Sequence, residues 1–107
     1  PAKIKFGLIT SVNPPNDRTP TGFALEQNYP NPFNPTTTIE FSLPRSEHVS
    51  LKIFDLQGKE VATLVQGEYP SGFHEALWDA SGLSSGVYFY KLQAGDFVQT
   101  RKLLLMK

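Results

Sequence analysis

The sequence predicts an all-β protein, a seven-stranded antiparallel sandwich of the immunoglobulin-like or fibronectin-like type. Apolar and polar residues alternate in short runs, and turn residues separate one run from the next. No window of the chain has the apolar period of an amphipathic helix. Together these observations indicate short strands that each bury one face. A closed β-barrel has the same pattern and is the alternative architecture.

Seven such runs follow residue 22, and each ends at a turn signal. Gly58 lies in the first clear turn and can adopt the positive φ that a tight reversal needs. Residues 70–72, 79–86 and 94–96 supply the other reversals. The expected strands are 23–27, 39–43, 49–53, 60–66, 73–79, 87–93 and 97–106.

A proline-rich segment leads into the first long strand, and we call residues 28–35 the strap. Each proline removes a backbone donor and biases the preceding residue toward extended geometry, so the strap cannot be a helix or a central strand. We expect an ordered, extended segment in which Tyr29 and Phe33 bury their rings. Its residues are Asn28, Tyr29, Pro30, Asn31, Pro32, Phe33, Asn34 and Pro35.

Three aromatic residues are candidates for specific places in such a sandwich. Tyr88 follows Gly86 at the start of the penultimate strand, the position of a corner tyrosine that hydrogen-bonds a nearby backbone carbonyl. Tyr90 then occupies the place of the second cysteine of an antibody domain. Trp78 alternates in register with Ala76, which predicts that its ring faces the core.

Composition limits the function classes. The chain has 107 residues, no cysteine, and ten basic against ten acidic side chains, which fits one domain without disulfides and without a basic face for nucleic acid. We expect a domain at 23–107, preceded by an N-terminal extension with a proline-rich linker at 1–22. Residues 3–10 alternate and predict an added edge strand or the tail of a preceding module. We interpret the chain as the C-terminal piece of a longer protein.

No catalytic or metal-binding constellation emerges. His48 and His74 lack a second ligand nearby, and no serine lies in a Gly-x-Ser-x-Gly elbow. Asp55, Asp79 and Asp96 all occur at turns, where local hydrogen bonding explains them better than a calcium site does. We therefore expect no enzyme, no metal and no cofactor.

The last strand ends in an apolar run bracketed by cations. Alternation directs Leu103 and Leu105 to one side and Leu104 and Met106 to the other, and a two-layer core has an obvious place for only one pair. An edge strand at the end of the chain can also be added to a partner sheet. The residues of this segment are Arg101, Lys102, Leu103, Leu104, Leu105, Met106 and Lys107.

Five motifs in order carry a resemblance to a known family. They are the strap, residues 51–61 with Asp55 and Gly58, residues 74–79, residues 86–92 with Gly86 and Tyr88, and residues 101–107. From Phe23 to Lys107 the chain resembles the type A C-terminal sorting domain of the type IX secretion system.

The resemblance implies a sorting signal rather than an enzyme. Such domains fold as immunoglobulin-like sandwiches in the periplasm and direct a covalently linked N-terminal cargo across the outer membrane to the cell surface or extracellular space. The implied partners are the outer-membrane translocon, which would read residues 101–107, and a gingipain-like cysteine peptidase. That sortase-like enzyme would cut between residues 10 and 22 and attach the cargo to surface lipopolysaccharide. We expect a monomer.

Two other functions use the same fold. A carbohydrate-binding module would stack sugar rings on exposed aromatics, for which Tyr69, Phe73 and Trp78 are the candidates. A fibronectin-like spacer or adhesion module of an extracellular enzyme would need no special C-terminus.

Overall fold

The computed structural model describes residues 19–107 and has two antiparallel sheets packed face to face. One sheet has the order β1-β2-β5 and the other the order β4-β3-β6-β7. The sandwich prediction is therefore confirmed. The strands are β1 Ala24–Leu25, β2 Thr36–Leu43, β3 Glu47–Phe54, β4 Glu60–Tyr69, β5 Gly72–Asp79, β6 Gly86–Ala94 and β7 Phe97–Leu105.

Consecutive strands change sheets at three places. β2 and β3 follow one another in sequence but lie in different sheets, and so do β4 and β5, and β5 and β6. The hairpins β3–β4 and β6–β7 stay within the larger sheet. β1 is shorter than the expected 23–27, although the N–H of Glu26 still donates to the carbonyl oxygen of Glu40 at 2.9 Å. Within residues 19–107, no helix is long and apolar enough to cross a membrane.

The core forms where the inward positions of both sheets meet. In β2 these positions include Ile39 and Phe41, and in β6 they include Tyr90 and Leu92, all at most 2% exposed. Alternation alone explains this, since successive side chains of a strand point to opposite faces. Each such side chain contributes about 1.5–3 kcal/mol when it is fully buried.

Two turns depend on glycine. Gly58 has φ 83°, and its N–H donates to the carbonyl oxygen of Asp55 at 3.0 Å. The Asp55 carboxylate accepts two further backbone N–H bonds, from Gln57 and Lys59, each at 2.9 Å. Gly95 has φ 60° in the β6–β7 reversal, and a Cβ there would lie 2.7 Å from the Glu47 carboxylate. The predicted reversals at 55–59 and 94–96 are both present.

Trp78 lies in the core and is 5% exposed. Its ring contacts Phe33, with centroids 5.6 Å apart, and Tyr88, with centroids 6.0 Å apart. The Tyr88 hydroxyl donates to the carbonyl oxygen of Ser84 at 2.7 Å, which is the corner hydrogen bond that the sequence predicts. The indole therefore joins the strap to the penultimate strand.

Part of the N-terminal interpretation lies outside the described residues, namely the expected strand at 3–10 and the linker up to residue 18. At the end of the expected linker, Thr19 and Gly22 are exposed while Pro20 is buried. The linker is therefore not solvated throughout. The ring of Phe23, the residue at which we expect the domain to start, stacks on Phe97 with centroids 5.3 Å apart.

Candidate recognition surface

The strap is anchored at its start by buried polar side chains. Asn28 is 2% exposed, and its backbone N–H donates to the Tyr90 hydroxyl at 2.8 Å. The Asn28 amide nitrogen donates to Thr37 Oγ1 at 3.0 Å and to the carbonyl oxygen of Pro30 at 3.1 Å. Thr37 Oγ1 in turn donates to the same Pro30 oxygen at 2.9 Å. This network fixes the start of the strap through hydrogen bonds that its prolines cannot make themselves.

The Tyr90 hydroxyl closes this network from the other sheet. It donates to the carbonyl oxygen of Glu26 at 2.7 Å while it accepts the Asn28 N–H. Burial raises the pKa of Tyr90 above its usual value, because the phenolate would lose its hydration. The hydroxyl therefore stays protonated and remains available as a donor.

The two aromatic residues of the strap have opposite environments. Phe33 is 2% exposed, as expected, whereas Tyr29 is 80% exposed, so the prediction that Tyr29 buries its ring is wrong. The backbone of Tyr29 exchanges two hydrogen bonds of 2.9 Å with Thr38. Its neighbour Asn28 already points inward, and alternation then directs the Tyr29 ring to solvent.

The middle of the strap lies along the outer edge of β7. The N–H of Phe33 donates to the carbonyl oxygen of Leu104, and the N–H of Met106 donates to the carbonyl oxygen of Phe33, both at 3.0 Å. Asn31 Oδ1 accepts the Leu104 N–H at 3.0 Å, and Gln27 Nε2 donates to the carbonyl oxygen of Lys102 at 2.8 Å. The expectation that the end of the last strand offers an open edge is therefore wrong. The chain itself occupies that edge.

The apolar residues at the end of β7 alternate as predicted. Leu103 and Leu105 are completely buried, Leu104 is half-buried, and Met106 is 55% exposed. Only the first pair belongs to the core. Leu104 and Met106 thus extend the outward row of side chains that includes Lys102.

The cations of this segment do not all remain in solvent. Arg101 is half-buried, and its Nε donates to the carbonyl oxygen of Leu25 at 2.6 Å, so it joins β7 to β1. Lys107 is exposed, but its Nζ donates to the carbonyl oxygen of Ser81 at 2.5 Å and its N–H donates to Ser85 Oγ at 2.9 Å. Lys102 is exposed, and its ammonium group forms no hydrogen bond or ion pair with another residue of 19–107.

The loop that forms hydrogen bonds with Lys107 is stabilised by the Asp79 carboxylate. The Asp79 carboxylate accepts hydrogen bonds from the Ser81 hydroxyl and from the Ser81 backbone N–H. These bonds, with a smaller contribution from the Lys107 charge, lower the pKa of Asp79. Local hydrogen bonding therefore accounts for this aspartate.

Strap and last strand together form a small surface, which we call the tail surface. A cavity of 220 Å³ opens between them, lined by Val87, Leu103 and part of the tail surface itself. The carbonyl oxygens of Lys102 and Leu104 and the N–H groups of Leu104 and Met106 are already paired, so these three residues offer mainly their side chains at this surface. The tail surface consists of Asn31, Pro32, Lys102, Leu104 and Met106.

Sequence reasoning missed the Asn28–Thr37–Tyr90 network and the contact of Asn31 with Leu104. One signal for the network was present, because Thr37 shares the inward register of Ile39 and Phe41 and is 1% exposed. A polar residue at an apolar position needs a buried partner. No comparable signal identified Asn31.

The described residues form neither a metal site nor a shared face for stacking sugar rings. Among residues 19–107, no group of three or more acidic or histidine side chains could hold a metal ion. The aromatics considered for sugar stacking do not share an exposed face, since Trp78 is buried and Tyr69 packs edge-on against Phe41 and His74. His74 also hydrogen-bonds the carbonyl oxygen of Pro70 at 2.8 Å.

The two packed antiparallel sheets define a β-sandwich module. A family model described as the secretion system C-terminal sorting domain matches residues 27–106, and the chain belongs to this family. It is a C-terminal sorting signal of the type IX secretion system, whose cargo is exported to the cell surface or the extracellular space. Sorting domains of this family are generally non-catalytic.

A solved structure has the same fold. It is PorZ of Porphyromonas gingivalis, described as an essential bacterial surface component of the type IX secretion system. The two share 23% sequence identity with a TM-score of 0.55, over 80% of this chain and 12% of PorZ. The chain thus spans a small part of PorZ, and the likeness supports the sandwich architecture. No curated protein sequence matches the chain.

Proposed function

We propose that the domain catalyses nothing itself and directs a covalently attached cargo to the type IX translocon of the outer membrane. In this proposal the translocon binds the folded domain at the tail surface. The cargo precedes the domain in the chain, the domain acts as a monomer, and transit occurs through the periplasm. Family membership supports the sorting role, and the contacts of the strap support the choice of surface.

The observation that carries the choice of surface is the pairing of the strap with β7. Because Asn31 and Phe33 occupy the outer edge at Leu104, a partner cannot add a strand there without displacing the strap. The groups left for a partner are the Lys102 ammonium and the apolar side chains of Leu104 and Met106. A cation beside apolar side chains suits a partner with an apolar recess rimmed by carboxylates.

Removal of the domain after transport requires an accessible peptide bond. We propose that a sortase-like cysteine peptidase cuts within residues 10–22. Thr19, Thr21 and Gly22 are exposed, which supports access of a peptidase to this end of the segment. The residues that become the new cargo terminus would then be available for attachment to the surface.

Export of a reporter fused to the full chain tests the tail surface. Met106→Glu places a charge at its apolar end, and Val98→Glu is the matched control, because both residues follow the outward register of β7 and are 55% and 52% exposed. We expect Met106→Glu to lower export by about fivefold or more, while Val98→Glu exports like the parent. Both variants should keep the parent melting temperature.

Two outcomes of the export experiment would contradict the proposed role of the tail surface. Normal export of Met106→Glu, together with normal export of Leu104→Glu, would remove the tail surface from the proposal while leaving the family assignment intact. Equal loss of export in Val98→Glu would show that any charge on the outer face of β7 interferes.

A further inference from the structure

The outer faces of the two sheets differ in charge, although the whole chain is neutral. In the larger sheet, Lys52, Lys91 and Lys102 occupy outward positions of β3, β6 and β7, and the outward positions of these three strands contain no acidic residue. The acidic residues of this face, Glu60 and Glu68, lie on the edge strand β4. The strands of the smaller sheet contain no lysine or arginine. The cationic side of the sandwich is therefore the outer face of the larger sheet.

Two of these lysines lie directly opposite each other. Lys52 pairs in register with Lys91, and Lys102 lies one diagonal step from Lys91 on the next strand. Lys52 forms an ion pair of 3.6 Å with Glu60, but the ammonium groups of Lys91 and Lys102 form no hydrogen bond or ion pair with another residue of 19–107. Like charges at opposite positions destabilise a sheet. Anionic groups bound at these lysines would offset the repulsion.

Apolar side chains lie beside the lysines on the same face. Phe54 lies directly opposite Phe89, and both are half-buried, although neither is among the apolar residues that pack against the core. Leu56, in the turn after β3, is 69% exposed. A cavity of 310 Å³ is lined by these three residues, by Lys91 and Thr100, and by the turn at 55–58. The face thus combines cations with apolar side chains that the core does not use.

We propose that the outer face of the larger sheet binds the surface of a bilayer that contains anionic phospholipids. Charge complementarity identifies the occupant, because the sheet presents Lys52, Lys91 and Lys102 from three adjacent strands toward one plane, where lipid phosphates would neutralise them. Leu56 and Met106 lie at the same end of this sheet, and Met106 is 55% exposed. Both aliphatic side chains would enter the interfacial region of the bilayer.

An acidic polysaccharide fits the face less well. Sugar rings stack on exposed aromatic rings, whereas Phe54 and Phe89 are half-buried and the most exposed apolar side chain of the group is the aliphatic Leu56. Aliphatic side chains that project from a cationic face suit a lipid interface.

The proposal does not rest on the sorting role, because lipid binding can be measured without a translocon. The face adjoins the tail surface and shares Lys102 and Met106 with it. Variants that test lipid binding therefore keep both of these residues.

Co-sedimentation of the full chain with vesicles tests the proposal. One set of vesicles contains phosphatidylcholine alone, and the other contains equal parts of phosphatidylcholine and phosphatidylglycerol. We expect affinity for the mixed vesicles to be about tenfold higher or more, and to decrease as salt is added. Because the chain has no net charge, this preference requires a cationic surface on part of the molecule.

Removal of two lysines locates the surface. Lys52→Gln with Lys91→Gln should lower the affinity for mixed vesicles about tenfold or more. Lys3→Gln with Lys5→Gln removes the same two charges from residues outside 19–107 and is the matched control, which should bind like the parent. Unchanged Trp78 fluorescence would show that the sandwich remains folded in both double variants.

One apolar substitution tests the contribution of the turn. Leu56→Ser should lower the affinity for mixed vesicles about threefold. Leu77→Ser is its control, because Leu77 is 71% exposed on the outer face of the smaller sheet and should not contact the bilayer.

Three outcomes would overturn the proposal. The first is equal affinity for the two kinds of vesicle. The second is equal weakening by the two lysine double substitutions, because net charge rather than this face would then determine binding. The third is co-sedimentation with polygalacturonate but not with vesicles, which would assign the face to an acidic polysaccharide. None of these outcomes bears on the export of a reporter, so they leave the proposed sorting role intact.

Discussion

The sandwich core and the strap both bury a segment of chain, but they do so with different chemistry. In the core, alternating apolar residues such as Ile39 and Leu51 are completely buried, and neighbouring strands satisfy the backbone. Under the strap, Asn28, Thr37 and Tyr90 form a buried polar network. A segment rich in proline has fewer backbone donors than a strand, so side-chain hydrogen bonds supplement the backbone bonds of Tyr29 and Phe33. The comparison shows that periodicity positions the strands, while the strap also needs individual polar residues.

The largest effect should come from the apolar centre that both regions share. Trp78→Ala removes a ring in contact with Phe33 and Tyr88 and should lower the free energy of unfolding by about 3–5 kcal/mol. Leu77→Ala is the control from the same strand, because Leu77 is 71% exposed and its loss should cost at most about 0.5 kcal/mol. Chemical denaturation measures both. Equal effects of the two substitutions would mean that the indole is not in the core.

The polar network under the strap should have a smaller but distinct effect. Asn28→Ala leaves the Pro30 carbonyl and the Thr37 hydroxyl with fewer partners and should cost about 1–3 kcal/mol. Asn34→Ala, at an exposed position of the same strap, should be nearly neutral. If the two variants have the same stability, the buried polar network does not stabilise the strap and the contrast with the core disappears.

The pH dependence of stability reports on Tyr90. Its pKa is raised in the folded state, so the unfolded chain loses this proton first as the pH increases. The contribution is fully present below the unfolded pKa of about 10 and is lost as the pH rises from there through the folded value. We expect the free energy of unfolding to decrease in this range, and to decrease less steeply in Tyr90→Phe. Parallel pH profiles for parent and variant would contradict this account.

The smallest effects should come from the cations near the end of the chain. Lys102→Ala and Lys107→Ala should each change stability by less than about 0.5 kcal/mol, because both side chains are exposed. Arg101→Ala should cost about 1 kcal/mol, because its hydrogen bond to Leu25 is partly shielded from solvent. Thermal unfolding of the three single variants separates these values. A larger effect of Lys102→Ala than of Arg101→Ala would contradict the conclusion that Arg101 contributes more to stability than the exposed lysines.

The sequence predicted the elements of the sandwich but not how the strap is placed on it. Strands such as β3 and β6 follow from alternation, and Trp78 follows from its register with Ala76. The prediction that the Tyr29 ring is buried was wrong. Asn28 points inward because its backbone N–H bonds to Tyr90 in the other sheet, and Tyr29 therefore points outward. The contact of Asn31 with Leu104 joins residues separated by 73 positions. A local pattern cannot indicate which distant edge a segment will cover.

That separation also bears on when the tail surface forms. Closing a loop of this length has an entropic cost that few contacts can offset until the intervening strands are assembled. The strap and the last strand can therefore meet only late in folding. A translocon that binds where they meet would bind folded molecules and not nascent or unfolded ones. The same surface would then serve both as a sorting signal and as a check that folding is complete.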